Sequence, residues 1–335
     1  MSDVILKIDG LSKMFRSHWT FRPIDAVRDI SLEILRGESF GFLGHNGAGK
    51  TTTIKCILNF IKKSAGRIEL DGRELISSER HGEIGYLPEQ PYFYDHLTVL
   101  ETLEFFTSLY EMKRSERATR VLETLELVGL ADRKNSSVRA LSKGLQQRLG
   151  LAQAIVHRPK LLLLDEPFSG LDPIGRLEFR EIILGLNREG TTVLLSSHIL
   201  SDVEDICDRV SIMVRGELKT VFHLADAPKL FGESFELIVT EVEGNGQLLD
   251  RLVRLSSKHE VEKTIAGAIH IFRFESYDIA HQALADATSA RVKVENFRTS
   301  TLSLEDIFMS ITGSRKPHVN GGSQLPATEQ GMELR

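Results

Sequence analysis

The sequence predicts an α/β fold: a mostly parallel sheet with a helical subdomain inserted in it, followed by a small α+β domain. Three observations lead there. Leu161–Leu164 is apolar at every position, as a strand buried on both faces of a parallel sheet must be. From Thr98 to about Pro159 apolar residues recur at helical spacing, after which strand patterns resume. Beyond about residue 220 the pattern changes to short alternating strands and short helices.

Val4, Leu6 and Ile8 alternate with polar neighbours and mark a first strand. Ile30, Leu32 and Ile34 mark a second, ending in the turn Arg36-Gly37-Glu38. Ser39–Gly44 reads as a buried strand running into a glycine-rich loop. A helix then starts at Thr51, turns Ile54, Ile57 and Leu58 inward, and stops at Ser64-Ala65-Gly66. Arg67–Leu70 is a strand closed by the Asp71-Gly72 turn, and Ile84–Pro88 is another. Leu100, Leu103, Phe106 and Leu109 share one helical face, and further helices are expected over Arg117–Val128 and Lys143–Val156. After Leu161–Leu164 come a helix over Leu177–Glu189, a strand over Thr192–Ser196, and a hairpin of Val210–Val214 and Glu217–Thr220 around Arg215-Gly216. In the last part Phe235, Leu237 and Val239 alternate, as do Ile269 and Ile271, and Val292 and Val294. Helices are expected over Leu248–Leu255, Asp278–Ala287 and Leu304–Ile311. The expected division is 1–225 with the helical subdomain at about 91–159, then 230–312. A polar tail, 313–335, is expected to be disordered.

Composition narrows the function classes. A chain of 335 residues holds about two domains, and 41% hydrophobic with 27% charged residues excludes a mainly disordered chain. Lys+Arg 42 against Asp+Glu 47 gives a net charge of -5, so no basic nucleic-acid footprint exists and no nucleic-acid partner is expected. No apolar run approaches the ~18 residues that span a bilayer, and Met1-Ser2-Asp3-Val4 does not begin a secretory signal. A cytosolic protein is expected, touching a membrane only through a partner. Cys56 and Cys207 are too few for a disulfide framework or a zinc site and are expected to be small buried hydrophobes.

Gly44-His45-Asn46-Gly47-Ala48-Gly49-Lys50-Thr51, continued by Thr52, fits the phosphate-loop pattern of two spaced glycines followed by Lys and Thr. Glycines let backbone N–H groups turn around phosphate oxygens, and the helix that follows adds its positive end. Lys50 is expected at the β- and γ-phosphates and Thr51 on Mg²⁺. The bland alternative is an ordinary glycine loop; the buried strand before it and the helix after it favour the functional reading, and with it a P-loop NTPase core. Asp165-Glu166 ends the second buried strand. Asp165 would be costly to bury without a cation, which Mg²⁺ supplies, and Glu166 is placed to polarise the attacking water. A solvated strand-end charge pair is the alternative, and the nearby loop weighs against it.

Leu141-Ser142-Lys143-Gly144-Leu145-Gln146-Gln147-Arg148 resembles the signature of ATP-binding cassette (ABC) ATPases. The other motifs follow in that family's order: Gln90 as the Q-loop, Ser169-Gly170-Leu171-Asp172 as the D-loop, and His198 after Ser196-Ser197 as the switch histidine. The resemblance covers about residues 4–220. It implies a head-to-tail pair of nucleotide-binding subunits with two ATP molecules between them. Ser142 and Gly144 then meet the γ-phosphate held by the opposite subunit, and Asp172 of the D-loop is implied as a further nucleotide-binding residue. It further implies that His198 contacts the γ-phosphate and that Gln90 senses Mg²⁺ and the attacking water. Phe15 is expected to stack on adenine, with Trp19 and Phe21 as competitors in a segment longer than the family's usual one. Lys143 and Leu145 depart from the common Leu-Ser-Gly-Gly-Gln, which bears on the hydrolysis rate rather than on binding.

The resemblance implies an ATP-hydrolysing, Mg²⁺-dependent subunit, working as a homodimer on the cytoplasmic face of the membrane and driving a separately encoded permease. The segment 230–312, with its closing Leu304-Glu305-Asp306-Ile307-Phe308, resembles the C-terminal appendage of export-type members and favours export. That appendage reads as a regulatory module, a dimer-stabilising module or a spacer. Pro91-Tyr92-Phe93-Tyr94 reads either as a groove for a membrane subunit's helix or as subdomain core. The rival functions are a non-transport ABC ATPase and a nucleotide-gated regulatory module.

Overall fold

The computed structural model describes residues 3–16, 23–75, 82–231, 233–240, 246–264, 267–301 and 303–313. Trp19, Phe21 and the tail from 314 onward lie outside them.

The first part is built from β1 (Val4–Arg16), β2 (Pro23–Leu35), β3 (Ser39–Leu43), α1 (Lys50–Ile57), β4 (Ala65–Leu70), β5 (Arg73–Glu74) and β6 (Ile84–Leu87). Then come α2 (Val99–Ser108), α3 (Arg114–Leu127), α4 (Lys143–Ile155), β7 (Leu161–Asp165), α5 (Pro173–Arg188), β8 (Thr192–Ser197), α6 (Leu200–Glu204), β9 (Arg209–Val214) and β10 (Glu217–His223). A six-stranded sheet runs β10-β9-β3-β8-β7-β6, parallel except for β10. An antiparallel sheet β2-β1-β4-β5 lies beside it.

The uniform apolarity of β7 has a direct cause. Leu161 and Leu163 face the cluster shared with α1 and the antiparallel sheet, where Phe40, Phe42, Ile54 and Leu194 also lie. Leu162 and Leu164 face the opposite cluster, with Leu149, Phe179, Ile183 and Val193. Asp165 is the first charged residue after this run, and it sits at the carboxyl end of the strand, where parallel α/β sheets gather ligand-binding groups.

The helical insertion starts on a capping box: Thr98 Oγ1 accepts from Glu101 N, and Glu101 Oε2 accepts from Thr98 N at 2.8 Å. Val99, Thr102, Leu103 and Thr107 form the buried face of α2. Leu109, expected on that face, is exposed because the helix stops at Ser108. α5 begins earlier than its apolar periodicity indicates, at Pro173, with Asp172 as N-cap.

After α7 (Ala227–Phe231) the chain forms β11 (Glu233–Thr240), α8 (Gly246–Leu255), β12 (Lys258–Thr264), β13 (Gly267–Phe274), α9 (Tyr277–Ser289), β14 (Lys293–Thr301) and α10 (Leu304–Thr312). The sheet β12-β13-β11-β14 is antiparallel throughout. It has its own core, in which Phe235, Leu237, Val239, Phe272 and Phe274 meet Leu252 of α8 and Ala280, Ala283 and Ala287 of α9. The last helix does not belong to that core. Leu304, Ile307 and Phe308 are buried in the cluster of the first part, with Val203 and Ile206, so α10 returns to the body that begins the chain.

Candidate active site

The glycine-rich loop joins β3 to α1 in a form that only glycine permits at its end. Gly49 has φ 111°, and a Cβ there would lie 2.5 Å from the carbonyl oxygen of Ala26. Ala48 N donates to His45 O at 3.0 Å and closes the loop's turn; Ala48 O accepts from Gly216 N at 2.9 Å and ties the turn to the β9–β10 hairpin. Asn46 and Gly47 are exposed at the tip, and Thr52 is half-buried on the first turn of α1. Lys50 is buried, and its Nζ donates to Gly44 O at 2.6 Å.

The same ammonium lies 3.2 Å from Glu166 Oε1. The other oxygen, Glu166 Oε2, is 2.8 Å from His198 Nδ1, and the His198 backbone N–H donates to it as well at 3.4 Å. With the carboxylate ionised, Nδ1 carries the hydrogen. Glu166 reaches both partners because its backbone is left-handed, φ 48°, a conformation that costs a non-glycine residue of order 1–3 kcal/mol. The turn separates two adjacent carboxylates. Glu166 swings to Lys50 and His198, whereas Asp165 stays buried at the strand end, where its Oδ1 accepts from Thr51 Oγ1 at 3.0 Å and from Ser196 Oγ at 2.6 Å.

Ser196 is the residue that motif reading used only as context for His198. Its hydroxyl donates to Asp165 and accepts from Glu166 N at 3.2 Å, so one buried oxygen positions both acidic residues. Ser196 lies directly beside Asp165 in the parallel register of β7 and β8, a juxtaposition that only the fold creates.

A second group gathers around the signature segment. Ser142 caps α4 by accepting from Leu145 N. Gly144 lies against Leu171, and the Lys143 side chain lies over Gly170, φ 76°, so signature and D-loop segments are packed together. Asp172 accepts from Gly175 N at 2.7 Å as the cap of α5. Gln90 is exposed in a groove of about 380 Å³ with Tyr92, Phe93, Lys143 and Gln146. Phe93 packs on the core, whereas Tyr92 is 89% exposed and Tyr94 55%, so the core reading of this aromatic run holds for Phe93 and not for the two tyrosines. The structure thus joins Lys50, Thr51, Asp165, Glu166 and His198 directly, and places Ser142, Gly144 and Gln90 in the neighbouring group. Phe15 stands apart, partly exposed near the end of β1 with the Lys13 ammonium 4.8 Å from its ring centroid.

Cys56 and Cys207 are buried free thiols whose pKa values burial pushes up, as suits inert packing residues. Among the described residues no group of three or more His, Cys, Asp and Glu gathers as a metal cage, and no helix is long and apolar enough to cross a membrane.

Comparison with known proteins places these features. The ABC transporter family profile matches residues 27–169. An uncharacterized ABC transporter ATP-binding protein of Synechocystis sp. is 38% identical over 89% of this chain and 82% of its own length. The linearmycin resistance ATP-binding protein LnrL of Bacillus subtilis is 31% identical over 86% of this chain and 93% of its own. Among solved structures, an ATP-binding cassette dimer in a post-hydrolysis state with ADP and Pi superposes with a TM-score of 0.61. It is 26% identical, over 66% of this chain and 99% of that one.

Proposed function

The chain belongs to the ABC transporter ATP-binding family, and from that premise we propose how its residues divide the hydrolysis of ATP among them. The observation that carries the reading is the double hold on Glu166, by Lys50 on one oxygen and by His198 on the other. Both donors are also the groups assigned to the γ-phosphate. Nucleotide binding draws them onto phosphate and leaves the Glu166 carboxylate free to orient and deprotonate a water, the positioning role that phosphoryl transfer needs. The loop Gly44–Thr51 presents backbone N–H groups to the other phosphates, with Thr52 at the helix start.

Mg²⁺ fits Thr51 and Asp165. Asp165 is a buried carboxylate whose Oδ1 accepts from two neutral hydroxyls, and one of these belongs to Thr51 itself. Such hard oxygens hold Mg²⁺ together with phosphate oxygens and water, without an all-protein cage. When bound, the ion neutralises phosphate charge. Gln90 is a further ligand in this scheme, reaching the site from the groove it lines.

The active form is a head-to-tail homodimer in which Ser142 and Gly144 of one copy meet the γ-phosphate on the loop of the other, with Asp172 next to the crossing point. The ATP-binding cassette relative solved as a dimer with ADP and Pi supports the dimeric state. The motor works on the cytoplasmic face against a separately encoded permease, whose helix is received near exposed Tyr92 and Tyr94. The relative named for linearmycin resistance supports export as the direction. Phe15 stacks on adenine.

Steady-state ATPase measurement on the wild type and Glu166→Gln tests the assignment. The expected loss is about 100-fold or more, the usual contribution of a positioned base. Equal rates in the two proteins would overturn the role given to Glu166.

A further inference from the structure

We infer that α10, the helix that follows the C-terminal sheet, is a positioning element for the nucleotide loop, acting through a contact between Phe308 and His45. Phe308 is 6% exposed, and its ring meets the His45 ring edge to face, with centroids 4.9 Å apart and planes at 73°. His45 is the second residue of the loop, and its carbonyl accepts the bond from Ala48 N that closes the loop's turn. A histidine exposed in a glycine-rich loop has free rotamers. An aromatic edge contact removes that freedom and holds the turn in shape before ATP arrives, so less ordering remains for ATP to impose.

The same helix is tied at its first residue to the element that follows His198. Leu304 N donates to Glu204 Oε1 at 2.7 Å, and Glu204 closes α6, which begins two residues after His198. Leu304 and Ile307 anchor α10 among Val203 and Ile206 independently of Phe308. One nine-residue helix therefore touches the loop that carries Lys50 and the element that follows His198. The chain enters this helix from β14 of the appendage sheet, so the appendage ends in a contact with the nucleotide loop.

The inference rests on the reading of residues 44–51 as the ATP phosphate loop, and the test separates the two. ATP affinity of the full-length chain is measured by displacement of a fluorescent ATP analogue. Phe308→Leu, which keeps an apolar side chain of smaller volume and loses the ring, is expected to weaken ATP about three- to tenfold, the span an aromatic pair covers. Phe308→Tyr keeps wild-type affinity. His45→Ala weakens ATP by a similar factor, and Phe308→Leu added to it causes no further loss. Wild-type affinity in Phe308→Leu or in His45→Ala, or losses that multiply in the double variant, would overturn the inference. If Phe308→Leu does not fold, Glu204→Ala replaces it: the brace predicts weaker ATP binding that merges with the His45→Ala loss, and no loss overturns it. Lys50→Ala is the control for the loop: undiminished ATP binding there would overturn the loop assignment and leave the packing of α10 as found.

Discussion

Replacing Ser196 with alanine removes the hydroxyl that positions both acidic residues. Its bond to Asp165 Oδ1 is 2.6 Å long, and the residue is fully buried. A hydrogen bond to a charged group is worth about 1.5–3 kcal/mol. The second bond, from Glu166 N, adds little, because that N–H also faces the Ser196 carbonyl oxygen at 3.1 Å. Asp165 Oδ1 keeps Thr51 as a donor. The expected total is therefore about 1.5–3 kcal/mol, which lowers the melting midpoint of a domain this size by about 3–12 °C. If the hydroxyl is also what keeps the Asp165-Glu166 turn in register, kcat falls about 10- to 100-fold, while nucleotide affinity, set by the loop, stays within about twofold of the wild type, far less than a tenfold change at 1.4 kcal/mol. Phosphate release at saturating ATP and a thermal melt on the same preparation measure both effects. A variant that melts lower but turns over at the wild-type rate would refute the positioning role. One that matches the wild type in both would refute the energetic argument as well.

Other outcomes follow from single contacts. Gly49→Ala places a Cβ 2.5 Å from Ala26 O at φ 111°; it is expected to cost at least about 1–3 kcal/mol in strain and to abolish ATP binding, read by melting and by nucleotide titration. Glu236 is buried, which alone would raise its pKa, but Arg298 and Arg273, each 2.8 Å away through Nε, outweigh burial and hold it below the ordinary glutamate value. A depressed carboxyl contributes stability above its unfolded pKa and loses it as pH falls through the folded one. Glu236→Gln is thus expected to destabilise the appendage by about 1–3 kcal/mol at neutral pH, discounted for the exposed Arg298. The difference from the wild type shrinks as pH drops below the carboxylate range; a difference unchanged with pH in circular dichroism melts would contradict this.

The sequence was most readable where one physical demand dominates. Leu161–Leu164 must be apolar because both faces are covered, and the loop must carry glycines because of its backbone turns; both are visible in residue types alone. It was least readable where backbone pairing, not side-chain burial, makes the structure. β1 and β2 run 13 residues each, well past their apolar alternation, because Lys13–Arg16 pairs with Pro23–Val27 through the backbone while mostly exposing its side chains. β12, with the sequence Lys-His-Glu-Val-Glu-Lys-Thr, is an edge strand with one aliphatic side chain to betray it. α6 is five residues long, too short for periodicity. The destination of α10 was hidden for another reason: its amphipathic pattern marks a buried face but cannot say which of two cores receives it. The Ser196 bridge and the Phe308–His45 contact were hidden likewise, since each depends on residues brought together only by the fold.

The most direct test of the central claim, that two copies close over ATP and Glu166 drives their reopening, is the mass of the Glu166→Gln protein in solution with and without ATP and Mg²⁺. The account predicts a monomer without nucleotide and a stable dimer with ATP that Ser142→Ala weakens. A Glu166→Gln protein that stays monomeric at saturating ATP, while still binding it, would contradict the account.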